Sequence, residues 1–164
     1  MALTYTPITT TTVTGSSVSS VTFSSITGTY TDLFLVIDVE GVSGGSVSVR
    51  FNNDTGSNYS LTRLGGNGVT ASSNRSSNQT SMSLSWSVGY SASSKQFTQV
   101  YFMNYSNSGA NKCVIAKSGK GDNAVDMIVG LYRSTSAITE IVCLANTANF
   151  AVGSTFTLYG IKAA

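Results

Sequence analysis

Along residues 81–90 the chain alternates with a period of two: Met82, Leu84, Trp86, Val88 and Tyr90 are apolar, and Ser81, Ser83, Ser85, Ser87 and Gly89 separate them. Successive side chains of a strand point to opposite faces, so this pattern predicts a strand with one face in a core and one in water. Residues 46–51 repeat it in miniature, with Val47, Val49 and Phe51 inward. Residues 32–39, DLFLVIDV, are almost continuously apolar, which predicts a central strand covered on both faces. Further strand-like runs lie at 5–13, 18–26, 96–105, 112–116, 126–133, 139–144 and 154–162. Another covered segment begins at Tyr59.

Turn-formers separate these runs, among them Gly28, Gly41, Gly56, Gly109 and Gly153, and no stretch carries the 3.6-residue period of a helix. About ten short strands between such turns predict an all-β fold, an antiparallel β-sandwich of jelly-roll type with about eight to ten strands. Residues 1–18 are rich in Ser and Thr and contain Pro7, which denies a ladder donor to any strand holding it. They read as an N-terminal arm or edge strand ahead of a single sandwich domain, 19–164. Residues 65–78 are as polar and read as a long exposed loop.

Composition changes the picture in one respect. Only 10% of the 164 residues are charged, against about 25% in ordinary soluble domains, so Ser, Thr and Asn carry the polar surface. A net charge of +2, with no adjacent basic residues, leaves no footprint for a phosphate backbone, so nucleic acid is not an expected partner. MALTYTPITTTT resembles neither a secretory signal nor a membrane span, and no membrane partner is expected.

Histidine is absent, which removes His-based nucleophile triads and His-ligated zinc. The carboxylates are Asp32, Asp38, Glu40, Asp54, Asp122, Asp126 and Glu140, and their spacing shows no catalytic pair. Neither a catalytic residue nor a cofactor is expected. Cys113 and Cys143 stand far apart without a Cys-x-x-Cys and are read as buried free thiols. Trp86 and Tyr90 share the inward parity of their strand and are assigned to the core. RFNNDTGSNYS, residues 50–60, gathers hard oxygen ligands around Gly56, so Asn53 and Asp54 are a weak calcium candidate. The spacing fails the EF-hand pattern. Asn and Asp closing a turn on their own side chains account for the same residues.

That stretch, preceded by TYTDLFLV at 29–36, resembles segments of short virion proteins encoded by tailed bacteriophages. FAVGSTFTLYGI at 150–161 is similar to the ending of the same proteins and of some phage tail-fibre domains. The resemblance implies a non-enzymatic structural protein of the particle: a β-sandwich made in the host cytoplasm and carried in the virion on the capsid exterior. There it would act as a decoration or cement protein. The implied partners are the major capsid protein and several copies of the chain itself, and a homotrimer clustered over joints between capsid subunits is the expected assembly. Contacts are then expected from Tyr5 and Pro7 on the arm, from Arg50 and Arg63 as rim residues, from Tyr59, and from Asn67 and Arg75 in the polar loop. The alternative is a tail-fibre or receptor-binding module that recognises a cell-surface glycan through exposed Tyr59, Tyr101 or Tyr105.

Overall fold

The computed structural model describes residues 4–121 and 124–162. Its regular structure is β1 (Tyr5–Thr12), β2 (Ser20–Phe23), β3 (Asp32–Val39), β4 (Ser46–Phe51), β5 (Tyr59–Gly66), β6 (Ala71–Gln79), β7 (Met82–Ser83), β8 (Gln96–Met103), β9 (Lys112–Lys120), β10 (Ala124–Tyr132), β11 (Ile141–Asn146) and β12 (Thr155–Ile161). Eight strands form one antiparallel sheet in the order β1-β12-β3-β8-β9-β10-β5-β6, and four form a second in the order β2-β11-β4-β7. The all-β antiparallel sandwich read from the alternation is present. Its division into eight and four is unlike the even sheets of a jelly roll.

Alternation builds the core. Leu33, Leu35, Ile37 and Val39 of β3 are fully buried against Val47, Val49 and Phe51 of β4 and Ile141 and Cys143 of β11. An aromatic cluster fills the centre: Phe51 meets the Phe102 ring edge-on at 5.6 Å, and Tyr59 stacks on Tyr132 at 4.9 Å. Ring pairs in such geometries add about 0.5–1.5 kcal/mol each beyond their buried area. β1 lies at the edge of the large sheet, and Pro7 sits at a register shift there, where its missing N–H costs no regular ladder bond.

Three segments depart from the sequence expectation. β3 is central, but the small sheet covers only its inner face; among the described residues no layer lies over the outer one, where Phe34 and Val36 remain half-buried. Residues 65–78 are not a loop: they close β5 onto β6 as a hairpin, where Asn67 Oδ1 accepts from Val69 N at 3.1 Å and Thr70 N at 2.7 Å. Gly68 takes φ +82° in that turn, a conformation glycine adopts without steric cost.

Residues 81–90 form a strand only at Met82–Ser83. The segment follows β4 at its start, where Leu84 N donates to Val47 O at 2.9 Å, and rejoins it where Tyr90 and Gly45 exchange backbone bonds at 3.0 Å. Between these points it leaves the ladder and turns over the large sheet.

Candidate functional site

RFNNDTGSNYS is the connection from β4 to β5, and its polar groups are spent on the fold. Asp54 Oδ1 accepts from Gly56 N at 2.7 Å and Oδ2 from Asn58 Nδ2 at 2.9 Å. Asn52 staples this turn to the segment before β11: its Oδ1 accepts from Thr139 N at 2.9 Å, and its Nδ2 donates to Ala137 O at 2.8 Å. Asn52 and Asn53 hold φ of 51° and 55°, which asparagine tolerates better than most residues. Both oxygens of the calcium candidate Asp54 therefore have partners inside the turn. Asp122 lies outside the described residues.

The sequence-derived contact residues do not converge. Tyr5, Pro7, Asn67 and Arg75 are exposed, and Arg50 is half-exposed, with its Nε donating to Thr80 O at 3.2 Å. Tyr59 and Arg63 are corrections. Tyr59 is fully buried, its hydroxyl accepting from Phe51 N at 3.0 Å, because the inward parity of β5 carries it into the core. Arg63 shares that parity and is 4% exposed, so it is not a rim residue. Of the tyrosines considered for glycan recognition, Tyr105 is also buried and Tyr101 is half-buried. Trp86 is corrected in the opposite direction. It is 61% exposed because the chain has left the strand at that point.

Two surfaces stand out. The first is the outer face of the large sheet. Strand pairing places Tyr159, Phe34, Tyr101, Ile115 and Val129 in one row across five strands, with Met127 and Leu131 on either side of Val129 along β10. Val125, Met127, Val129 and Leu131 are all 39–64% exposed, and Leu64 and Phe97 belong to the same face. Phe34 and Tyr101 pack at 4.5 Å between ring centroids. Lys117 stands beside Met127, and Asp38 on this face is paired with Lys95 at 3.1 Å. The face from β12 to β5 spans five strand spacings of about 4.8 Å and about 25 Å of strand, a footprint on the order of 600 Å² in which Thr157, Gln99, Lys117 and Thr62 interrupt the apolar side chains. Its apolar share lies within the roughly 300–600 Å² of the largest apolar patch on a typical monomer, a size that often marks a functional surface. Cys113 lies half-buried here, opposite Leu131. Cys143 is free as well but fully buried in the core, which pushes its thiol pKa well up.

The second is a cleft of about 350 Å³ where β5 and β6 face β4 and the segment around β7. Arg63 and Trp86 meet in it, with the guanidinium 3.0 Å from the centroid of the indole. Arg63 Nη2 is buried and hydrogen-bonds to nothing. Burial pulls the guanidinium pKa below its ordinary value, and the Asp126 carboxylate pulls it back up. Asp126 Oδ2 accepts three backbone bonds, from Trp86 N at 2.6 Å, Ser87 N at 2.8 Å and Val88 N at 2.9 Å. These bonds replace the ladder that residues 85–88 abandon. Ser118 adds a fourth tie by donating to Leu84 O at 2.6 Å. Sequence reading missed the cleft because Arg63, Asp126 and Trp86 are brought together only by the departure from alternation. An arginine and an aspartate at inward positions of their strands were the available signal. Compared with protein-family models, with curated protein sequences and with solved structures, the chain matches none.

Proposed function

We propose that this chain is a non-enzymatic structural protein of a tailed-phage virion, a capsid decoration or cement protein whose copies join through the outer face of the large sheet. The observation that carries self-association is that face, with apolar side chains running across β12, β3, β8, β9, β10 and β5 and Lys117 standing among them. A face with a footprint on the order of 600 Å² approaches the roughly 800 Å² that each partner contributes to a standard stable interface. Its charges are few, with Lys117 in the apolar stretch and the Asp38–Lys95 pair and Arg75 towards its margins, which suits a lasting contact between copies because obligate interfaces are the most hydrophobic ones. The hydroxyl- and amide-rich remainder of the surface, with the exposed edge strands β1 and β6, would then meet the major capsid protein through polar contacts. The placement on a phage particle is supported by the resemblance of the 29–36, 50–60 and 150–161 stretches to virion proteins.

The test is cryo-electron microscopy of intact virions at side-chain resolution. Density for this chain repeated over the icosahedral lattice and touching several capsid subunits is the expected result. Density confined to the tail or its fibres would overturn the capsid placement.

A further inference from the structure

Arg63 is a buried cation with an unfilled donor. Taking a charge out of water costs several kcal/mol unless a counter-charge and hydrogen bonds replace the lost solvent. Asp126 lies on the same inner face, one strand away; its Oδ2 is committed to three backbone N–H groups and its Oδ1 is buried without a partner, but among the described residues the two side chains form no ion pair. Arg63 Nη2 is left without an acceptor. A guanidinium nitrogen without an acceptor is suited to donate to a carboxylate oxygen, the stronger kind of hydrogen bond because both partners are charged.

The cleft beside it offers the rest of a site. None of the side chains lining it is acidic, and the carboxylate nearest to Arg63 is that of Asp126, outside the lining. Its walls are hydroxyls and amides, including Ser46, Ser48, Ser83, Gln79 and Asn146. Asn146 Nδ2 donates to Ser48 Oγ at 2.6 Å, so that hydroxyl is already acting as an acceptor and keeps its proton to donate. Trp86 forms the cover. Asp126 fixes its backbone while its indole lies 61% exposed over the guanidinium. Side-chain hydroxyls, amides and one indole are the complement of a polyhydroxylated ring. A peptide terminus would more typically dock along a strand edge through its main chain.

We infer that this cleft binds a carboxylated sugar residue, such as a uronic acid within a surface polysaccharide, with Arg63 holding the carboxylate and the Trp86 indole moving to admit it. The site does not depend on where in a virion the chain sits.

Trp86 is the chain's single tryptophan, so its fluorescence reports on the cover directly. The experiment titrates the full-length protein with oligogalacturonate, with the same oligomer fully methyl-esterified, with acetate at equal carboxylate concentration, and with a short peptide ending in glutamate. The expected result is a saturable change in Trp86 emission with submillimolar oligogalacturonate, and binding at least about tenfold weaker for the ester, the acetate and the peptide. Arg63→Gln abolishes it. Since a core variant can misfold, Gln79→Ala at the exposed edge of the cleft serves as the second variant. It is expected to weaken binding several-fold with the melting temperature unchanged. Equal response to ester and acid, equal binding of acetate or peptide, or no response to oligogalacturonate would each overturn the inference.

Discussion

At the scale of single residues, two carboxylates have structural duties with measurable consequences. Asp126 holds residues 86–88 against the large sheet through three bonds to one oxygen, and Gly65 opposite it leaves no room for a Cβ beside Oδ1. Asp126→Ala would leave those N–H groups without partners at about 1–3 kcal/mol each where buried, so a loss of about 3 kcal/mol or more is expected in urea denaturation. Asp126→Asn, which keeps an acceptor but not the charge, is expected to lose less. A loss of similar size in both variants would mean that the charge, and not the acceptor, is what matters. Asp54 gives a pH signature. The Asn58 amide, opposed by partial burial and aided by the Gly56 N–H, holds its carboxyl below the ordinary value of 3.8. A carboxylate with a depressed folded pKa contributes stability that is complete above the unfolded value and is lost as pH falls through the folded one. Melting temperatures between about pH 5 and about pH 2 are therefore expected to fall more steeply in the native protein than in Asn58→Ala, where that depression is relieved. Parallel curves would show the turn to be electrostatically idle. Lys112 makes a third case: buried at 2% exposure, its Nζ donates to Asn107 O, Ala110 O and Thr135 O, closing the end of the sandwich at three loop carbonyls.

At the scale of elements, legibility followed how many faces of a segment touch the core. Strands with one dry and one wet face, such as β4, carry their period in the sequence, and the bounds of β3 and β4 were readable to the residue. β6, ASSNRSSNQ, has almost no side chain in the core, so nothing in its composition separates a strand from a loop, and its place is set by backbone bonds to β5. The segment at 81–90 failed for the opposite reason. Its alternation was real, and Met82, Leu84, Val88 and Tyr90 are buried, but Asp126 offered three N–H groups a better acceptor than a ladder. Competition between a side-chain acceptor on one strand and the backbone of a distant segment leaves no trace in local periodicity. The cleft, which exists because of that competition, was illegible with it. The same reasoning assigns β6 a low local stability, because few buried contacts add to its ladder. Hydrogen exchange is expected to label residues 71–79 well before residues 59–66. Equal protection of the two strands would mean that another surface covers β6 in solution.

At the scale of the whole molecule, the eight-stranded sheet has one face that makes a core with the small sheet and one that, among the described residues, no other layer covers. If copies associate through the second face, a charge placed at its middle should separate them without unfolding any one of them, because Met127 is 44% exposed in the single chain. Met127→Lys adds a second ammonium next to Lys117, its cross-strand neighbour, so desolvation and like-charge repulsion act together. Light scattering is expected to give an oligomer for the native protein and a monomer for the variant. The stoichiometry also carries geometric information. A dimer is the product of the face meeting itself about a two-fold axis, whereas the expected homotrimer needs the face to meet a different surface of the next copy. Cys113, opposite Leu131 on this face, supplies an internal check, while Cys143 is fully buried and chemically silent. Alkylation of Cys113 is expected to be slow in the native oligomer and to accelerate in Met127→Lys. A native protein that is monomeric at high concentration, with Cys113 as reactive as in the variant, would remove self-association and leave the apolar face to a different partner.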